Sequence, residues 1–183
     1  MGGSSYPVFE GCSSLTTINI GDKVERIPDC AFYGCSGLTS VTIPNSVTTF
    51  GDWAFSRCSN LKSLTFGSKL ASIGKKAFSD CVSVTQIVSL ATTPPTCGTQ
   101  ALDDINKLTC KLYVPEGSQT SYKAAEQWKE FFFIEEGKGS TGISKTVINP
   151  ASNTKTYHTL DGREVRNPGK GIYIVNGKKV VMK

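Results

Sequence analysis

Cysteine is the residue type in this sequence with the greatest potential for chemistry, and four of its seven copies recur with a constant period of 23. They are Cys12, Cys35, Cys58 and Cys81. A cysteine thiolate is a nucleophile and a metal ligand, and two thiols can form a disulfide. Each of these chemistries needs a particular partner, so the residues around the cysteines decide between them.

The partners for metal binding and for thiol catalysis are missing from the sequence. Structural zinc sites take paired ligands such as Cys-x-x-Cys, often with histidines, but the chain has no such pair and one histidine, His158. A nucleophilic thiol needs an adjacent base, and regular repetition argues against one privileged thiol. We therefore expect no catalytic residue, no metal and no cofactor.

Disulfide bonding stays open as an alternative. Seven is an odd number, so at least one thiol stays unpaired within a monomer. Cys97 and Cys110 flank a 12-residue loop and could close it with a bridge.

A phenylalanine recurs with each repeated cysteine, three positions before it. Phe9, Phe32, Phe55 and Phe78 keep the same period of 23. Other apolar positions follow this period, including the column Leu15, Leu38, Leu61 and Val84 and the column Val24, Val47 and Leu70. A fixed period of this length is typical of a solenoid, in which each coil buries its apolar face against its neighbours. We expect the four cysteines and four phenylalanines to be structural ladders inside that solenoid.

Residues 38–60 show how one coil is built. Residues 38–43 alternate apolar and polar side chains, which predicts a half-buried strand. Pro44 and Asn45 follow as a turn, and residues 47–50 form a second extended side. Residues 53–58 place Ala, Phe and Cys inward, which predicts one short helical turn. The next coil then begins about 4.8 Å along the axis, the spacing of neighbouring strands.

The pattern LTxVxIPxxVTxFGxxAFxxCSNL over residues 15–81 resembles the BspA-like class of leucine-rich repeat proteins. Residues 91–104 and 110–136 are similar to the closing segment of that class, with a strand at LYVP and a helix at YKAAEQWKEF. The resemblance implies a mostly β, α/β right-handed leucine-rich repeat solenoid with 23-residue repeats over residues 1–136, with a capping unit over about 91–136.

Residues 137–183 differ from the repeats in composition and charge. They carry 9 Lys and Arg against 2 Asp and Glu, while residues 1–136 carry 11 against 13. The pairs Asp161-Gly162 and Asn176-Gly177 each lie between apolar alternating segments, which predicts two β-hairpins. We expect a small all-β domain here. Its segments LDGREV, GKGIYIV and KKVVMK resemble the C-terminal sorting domains of the type IX secretion system.

Charge and hydropathy limit the partners of this chain. The solenoid is mildly acidic, which argues against a nucleic-acid partner, and no apolar run approaches the ~20 residues of a membrane span. The start, MGGSSYP, lacks the features of a signal peptide, and the chain opens in the middle of a repeat. We expect earlier repeats and an export signal to precede it, and the BspA-like resemblance implies a cell-surface or extracellular location.

A candidate binding surface lies on the outward side of the first strand of each coil, the concave side of such a solenoid. Its residues carry no charge, and all but one can form hydrogen bonds: Thr17, Asn19, Ser40, Thr42, Ser63, Thr65, Gln86 and Val88. Such a surface suits a polypeptide or a glycan, although Thr and Ser also simply suit the solvent side of strands. Tyr33 and Trp53 on the opposite side are either exposed contact residues or partly buried ones.

The resemblance implies adhesion through an extracellular protein or glycan. We expect a monomer, and the residue inventory predicts that it is not an enzyme. The alternative is a structural spacer that displays another domain on the bacterial surface.

Overall fold

The computed structural model describes residues 9–137 and four strands of the C-terminal segment. The chain divides into two compact units, Met1–Gly142 and Ile143–Lys183. No helix among the described residues is long and apolar enough to cross a membrane.

The first unit is a solenoid with two parallel sheets. The strands of the four-stranded sheet, in the order in which they pair, are β1 Arg26–Ile27, β3 Thr49–Phe50, β5 Ser72–Ile73 and β7 Thr96–Cys97. Those of the five-stranded sheet, again in pairing order, are β2 Ser40–Thr42, β4 Ser63–Phe66, β6 Gln86–Ser89, β8 Lys111–Val114 and β9 Phe133–Glu136.

The register of the strands confirms the 23-residue coil. Ser40 pairs with Ser63, and Ser63 pairs with Gln86. The interval then changes, because Gln86 pairs with Lys111 and Lys111 pairs with Phe133. Each strand after β2 in this sheet therefore lies beside the equivalent strand of the preceding coil, which confirms the predicted solenoid.

The core lies between the two sheets and the turns that join them. The inward positions of the five-stranded sheet form one register column, in which every side chain is at most 5 % exposed: Val41, Leu64, Ile87, Leu112 and Ile134. Phe32, Phe55 and Phe78 stack beside them with ring centroids 5.0 and 5.5 Å apart. Phe9 continues the stack at 5.3 Å but is 42 % exposed, since no further aromatic ring among the described residues covers its other face.

The predicted helical turn at residues 53–58 is wrong. Trp53 and Arg57 have φ angles of 53° and 61°, in the left-handed region that a right-handed helix does not use. The N–H of Phe55 donates to the carbonyl of Ala77 at 2.8 Å, and that of Arg57 to Ser79 at 2.8 Å. These donors point to the next coil instead of along their own chain, so the turns form a third line of hydrogen bonds between coils.

Tyr122 and Trp128 close the C-terminal end of the solenoid. The predicted helix at residues 122–131 is divided into α1, Gln119–Ala124, and a single 3-10 turn at Trp128–Glu130. The aromatic side chains are fully buried and anchor to the last coil, since the Trp128 indole N–H donates to the Pro95 carbonyl at 2.7 Å and the Tyr122 hydroxyl to Ala91 at 2.9 Å.

Gln127 explains the break between α1 and the 3-10 turn. Its φ angle is 63°, which a continuous helix cannot accommodate. Its side-chain amide donates to the Gly98 carbonyl at 2.6 Å and accepts from the Leu102 N–H at 3.1 Å. The side chain thus hydrogen-bonds to the last repeat at two points, and the chain continues from there into β9.

The described part of the second unit is an antiparallel sheet of four strands. They are β10 Tyr157–His158, β11 Glu164–Val165, β12 Gly171–Val175 and β13 Lys178–Met182. β10 pairs with β11 and β12 pairs with β13, as the two predicted hairpins require. β10 also pairs with β12, which joins the hairpins into one sheet. The turn residues 161–162 and 176–177 lie outside the described residues.

The repeated cysteines pack as a ladder and also form hydrogen bonds. Cys35, Cys58 and Cys81 are fully buried. Each thiol donates to a phenylalanine carbonyl of the preceding coil, from Cys35 to Phe9 at 3.0 Å, Cys58 to Phe32 at 3.3 Å and Cys81 to Phe55 at 3.2 Å. Cys12 is exposed. The three inner cysteines are therefore buried and hydrogen-bonded from coil to coil, as a packing role requires.

We expect Cys58→Ala to lower the free energy of unfolding by about 1–3 kcal/mol, because it leaves a small cavity and removes the hydrogen bond to the Phe32 carbonyl. Urea denaturation measures the change. The matched control is Cys12→Ala at the exposed end of the ladder, for which the change should stay within about 0.5 kcal/mol. Equal effects of the two substitutions would contradict the ladder.

Candidate binding surface

The solvent side of the five-stranded sheet carries two rows of side chains that the strand register aligns. The first row is Ser40, Ser63, Gln86, Lys111 and Phe133. The second row is Thr42, Thr65, Val88, Tyr113 and Glu135. Neighbours within a row are about 4.8 Å apart, and the two rows are about 7 Å apart, because alternate residues of a strand share one face.

The structure places most of the predicted binding residues on this surface. Ser40 and Thr42 are exposed, while Ser63, Thr65 and Gln86 are partly buried. The hydroxyl-rich part of the surface therefore comprises β2 and β4, and Gln86 adds a side-chain amide at the start of β6. Whether a ligand binds there stays a prediction.

Three of the predicted residues do not extend this surface. Val88 is only 6 % exposed and offers little area to a ligand. Its register partner is Tyr113, whose large side chain stands beside it on the same face. Thr17 and Asn19 are exposed but belong to no strand, since the five-stranded sheet begins at β2. The first coil therefore does not continue the two rows.

Sequence reasoning missed the C-terminal end of the surface. Lys111, Tyr113, Phe133 and Glu135 complete the two rows, and they replace small hydroxyls with aromatic and charged groups. Gln86 pairs with Lys111 and Lys111 with Phe133, so a search with a period of 23 does not align their strands. The alternation of polar and apolar residues in KLYV and FIEE is the signal that could have found them.

A family model for the BspA-type leucine-rich repeat region matches residues 5–121 in six copies. The match covers more than half of the chain. The chain belongs to the BspA-type leucine-rich repeat family. No curated protein matches it. The matched residues contain strands β1 to β8, while β9 and the 3-10 turn of the cap lie after them.

On the opposite side of this BspA-type solenoid, Tyr33 and Trp53 are partly buried, as one of the two alternatives predicted. The Arg57 guanidinium lies 5.4 Å from the centre of the Tyr33 ring, and the Lys75 ammonium lies 5.4 Å from that of Trp53. In each pair the cation belongs to the coil after the one that holds the ring. These cation–π contacts engage the rings within the repeat protein itself.

The buried thiols of this BspA-type protein are placed for packing, and burial also keeps them protonated. All seven cysteines are free, so the bridge between Cys97 and Cys110 is not formed. Burial raises the pKa of Cys58, Cys97 and Cys110 to about 12. Residues 9–137 hold no group of three or more His, Cys, Asp or Glu side chains that could bind a metal ion.

We expect the buried thiols of the native protein to resist alkylation by iodoacetamide at about pH 8, whereas Cys12 should be labelled. The reactive species is the thiolate, and a pKa of about 12 leaves very little of it at that pH. Mass spectrometry of peptides before and after unfolding in urea measures the difference. Labelling of native Cys58 as fast as Cys12 would contradict this expectation.

The same protonation links stability to pH. An unfolded chain releases thiol protons at about pH 8.5, whereas native Cys58 keeps its proton up to about pH 12. Between these pH values the unfolded state binds fewer protons than the native state. The contribution of the buried thiols to the free energy of unfolding is therefore complete below this window and is lost as the pH rises through it.

Proposed function

We propose that this protein is a non-catalytic binding module that holds an extracellular protein or glycan on the solvent side of its five-stranded sheet. The observation that carries the proposal is the pair of in-register side-chain rows across five parallel strands. A repeat protein of the BspA type is compatible with a binding role. Adhesion of a cell to a matrix protein or to another cell is the use that we infer, at the cell surface or outside the cell.

The architecture favours binding because the surface is already formed. Strands β2, β4, β6, β8 and β9 are locked to each other by the parallel ladder, so little backbone has to become ordered when a ligand arrives. The row members on β2 and β4 are small and uncharged, which lets another chain approach closely without the desolvation of ions.

Catalysis is less well supported by the same residues. A thiol nucleophile needs a lowered pKa or an adjacent base, but burial raises the pKa of Cys58, Cys97 and Cys110. The one histidine of the chain, His158, is in strand β10 of the other compact unit.

We expect Thr42→Lys combined with Thr65→Lys to leave the fold intact and to weaken binding about tenfold or more. The two lysines would place like charges and long side chains at neighbouring positions of the second row, where an uncharged ligand surface must approach. Binding of the whole chain to immobilised matrix proteins and to a glycan array at physiological salt is the measurement.

The matched control is Thr49→Lys combined with Ser72→Lys, which adds the same charge at neighbouring register positions of the four-stranded sheet. This variant should bind like the unmodified chain. Unchanged affinity of the Thr42 and Thr65 variant would place the site elsewhere. A chain that binds to neither the matrix proteins nor the glycans would favour the spacer function instead.

The second part of the proposal concerns the C-terminal unit, which we assign as a sorting domain for type IX secretion. Its support is the sequence resemblance together with an all-β fold of two joined hairpins. In this role the unit directs the solenoid across the outer membrane, and the solenoid acts outside the cell.

We expect residues 137–183, fused behind a periplasmic reporter protein, to carry it to the cell surface or medium of a host with a type IX system. Deletion of residues 178–183 should abolish this export, because it removes β13, the edge strand that pairs with β12 along its whole length. Immunoblots of cell fractions measure the distribution. Export of the shortened fusion, or retention of the intact one, would refute the assignment.

A further inference from the structure

The C-terminal end of the solvent face carries an aromatic platform that consists of Tyr113, Phe132 and Phe133. Phe132 is 72 % exposed and Phe133 is 39 % exposed, and their rings meet edge to face at 4.9 Å. Tyr113 is on the neighbouring strand and lies diagonally from Phe133, because Phe133 pairs with Lys111 and Tyr113 pairs with Glu135. Diagonal neighbours in a sheet are about 7–8 Å apart, within reach of aromatic side chains. Burial of aromatic rings is normally favourable, so rings grouped on a surface indicate a contact site.

The backbone holds the platform firmly in place. Ile134 is buried in the core between Phe133 and Glu135, and Phe131, directly before Phe132, is buried as well. The N–H of Phe132 donates to the Lys107 carbonyl at 2.9 Å. The rings therefore project from a fixed segment, and they are not the tip of a loop.

Polar groups that have no partner within residues 9–137 border the platform. Lys111 and Glu135 are exposed and form no ion pair within the described part of the chain, although Lys111 shares a strand with Tyr113 and Glu135 pairs with Tyr113 in register. The Tyr113 hydroxyl forms no hydrogen bond to residues 9–137. By contrast, Glu136, the next residue, already accepts a hydrogen bond from the Gln119 N–H at 2.8 Å.

We propose that the aromatic platform, with Lys111 and Glu135 beside it, is a binding site for a neutral glycan chain. The proposal rests on the proposed function and specifies which end of the surface and which class of ligand it uses. A sugar ring has one apolar face of C–H groups and a rim of hydroxyls. The negative face of an aromatic ring attracts such C–H groups, while the rim needs donors and acceptors.

Charge complementarity selects a neutral glycan over a charged one. The charged members of the two rows are one cation, Lys111, and one anion, Glu135, and their charges balance. A sulfated polymer would meet the Glu135 carboxylate, and a basic ligand would meet the Lys111 ammonium. Hydroxyls can instead accept from the ammonium and donate to the carboxylate within the same ring. Farther along the face, beyond β6, Ser63 and Thr65 offer further hydrogen-bonding groups.

The test uses the whole chain and an array of neutral oligosaccharides, namely β-glucan, chitin and mannan fragments, with heparin as the polyanionic comparison. The strongest neutral binder is then titrated by calorimetry. We expect Phe133→Ala and Tyr113→Ala each to weaken binding about 2- to 10-fold, the range that corresponds to one aromatic contact. Tyr33→Ala, a partly buried tyrosine on the opposite side, should leave the affinity unchanged.

Phe132→Ala keeps the test decisive if Tyr113→Ala impairs folding, because Phe132 is the most exposed of the three rings. Thermal unfolding of each variant shows whether it is folded. A loss of neutral-glycan binding in folded Phe132→Ala and Phe133→Ala variants supports the proposal. Unchanged binding in both overturns it.

Other occupants of the platform would give different results. Preference for heparin overturns the neutral-glycan assignment, and so does self-association that Phe133→Ala abolishes, because the occupant would then be a second copy of the chain. Binding to a matrix protein but to no glycan overturns this inference and leaves the proposed function standing. Binding to neither class of ligand overturns both.

Discussion

The hydrogen bonds from one coil to the next are the constraint on which the rest of this structure depends. They run along the two sheets and along the turns, where Phe32, Phe55 and Phe78 donate to Ala54, Ala77 and Ala101 at 2.8–3.0 Å. Coils held this closely leave no room for a side chain at some positions. A Cβ on Gly74 would lie 2.4 Å from the backbone of Gly51, so glycine is required there.

This constraint explains which parts of the fold the sequence predicts. Apolar columns with a period of 23 predict the solenoid, because in-register stacking makes equivalent residues share one environment. The predicted helical turn at Trp53 is wrong, since an Ala-Phe-x-x-Cys spacing also suits a helix. The positive φ angles of Trp53 and Arg57 and the bonds to the next coil exclude it. A period of 23 does not predict β9, because the interval between Lys111 and its partner Phe133 in the cap is shorter than the repeat.

The sequence predicts the β2 part of the candidate site but not its C-terminal end. Alternation along a strand separates inward from outward residues, so Ser40 and Thr42 could be placed on the solvent side from the sequence. Tyr113 and Phe133 join them only through strand register across the cap, which is a tertiary property. The inward residues maintain the scaffold while the outward residues are free to vary, so chemistry on this face can change without a change in the fold.

Each coil contacts only the coils next to it, and this has a mechanical consequence. A pull on the two ends of the solenoid would load the coils in series, and a terminal coil can detach without disturbing the coils beyond the next one. Each detached 23-residue coil would release on the order of 80 Å of extended chain. A solenoid under tension would therefore lengthen in steps, and the unfolding of each coil would dissipate part of the mechanical work.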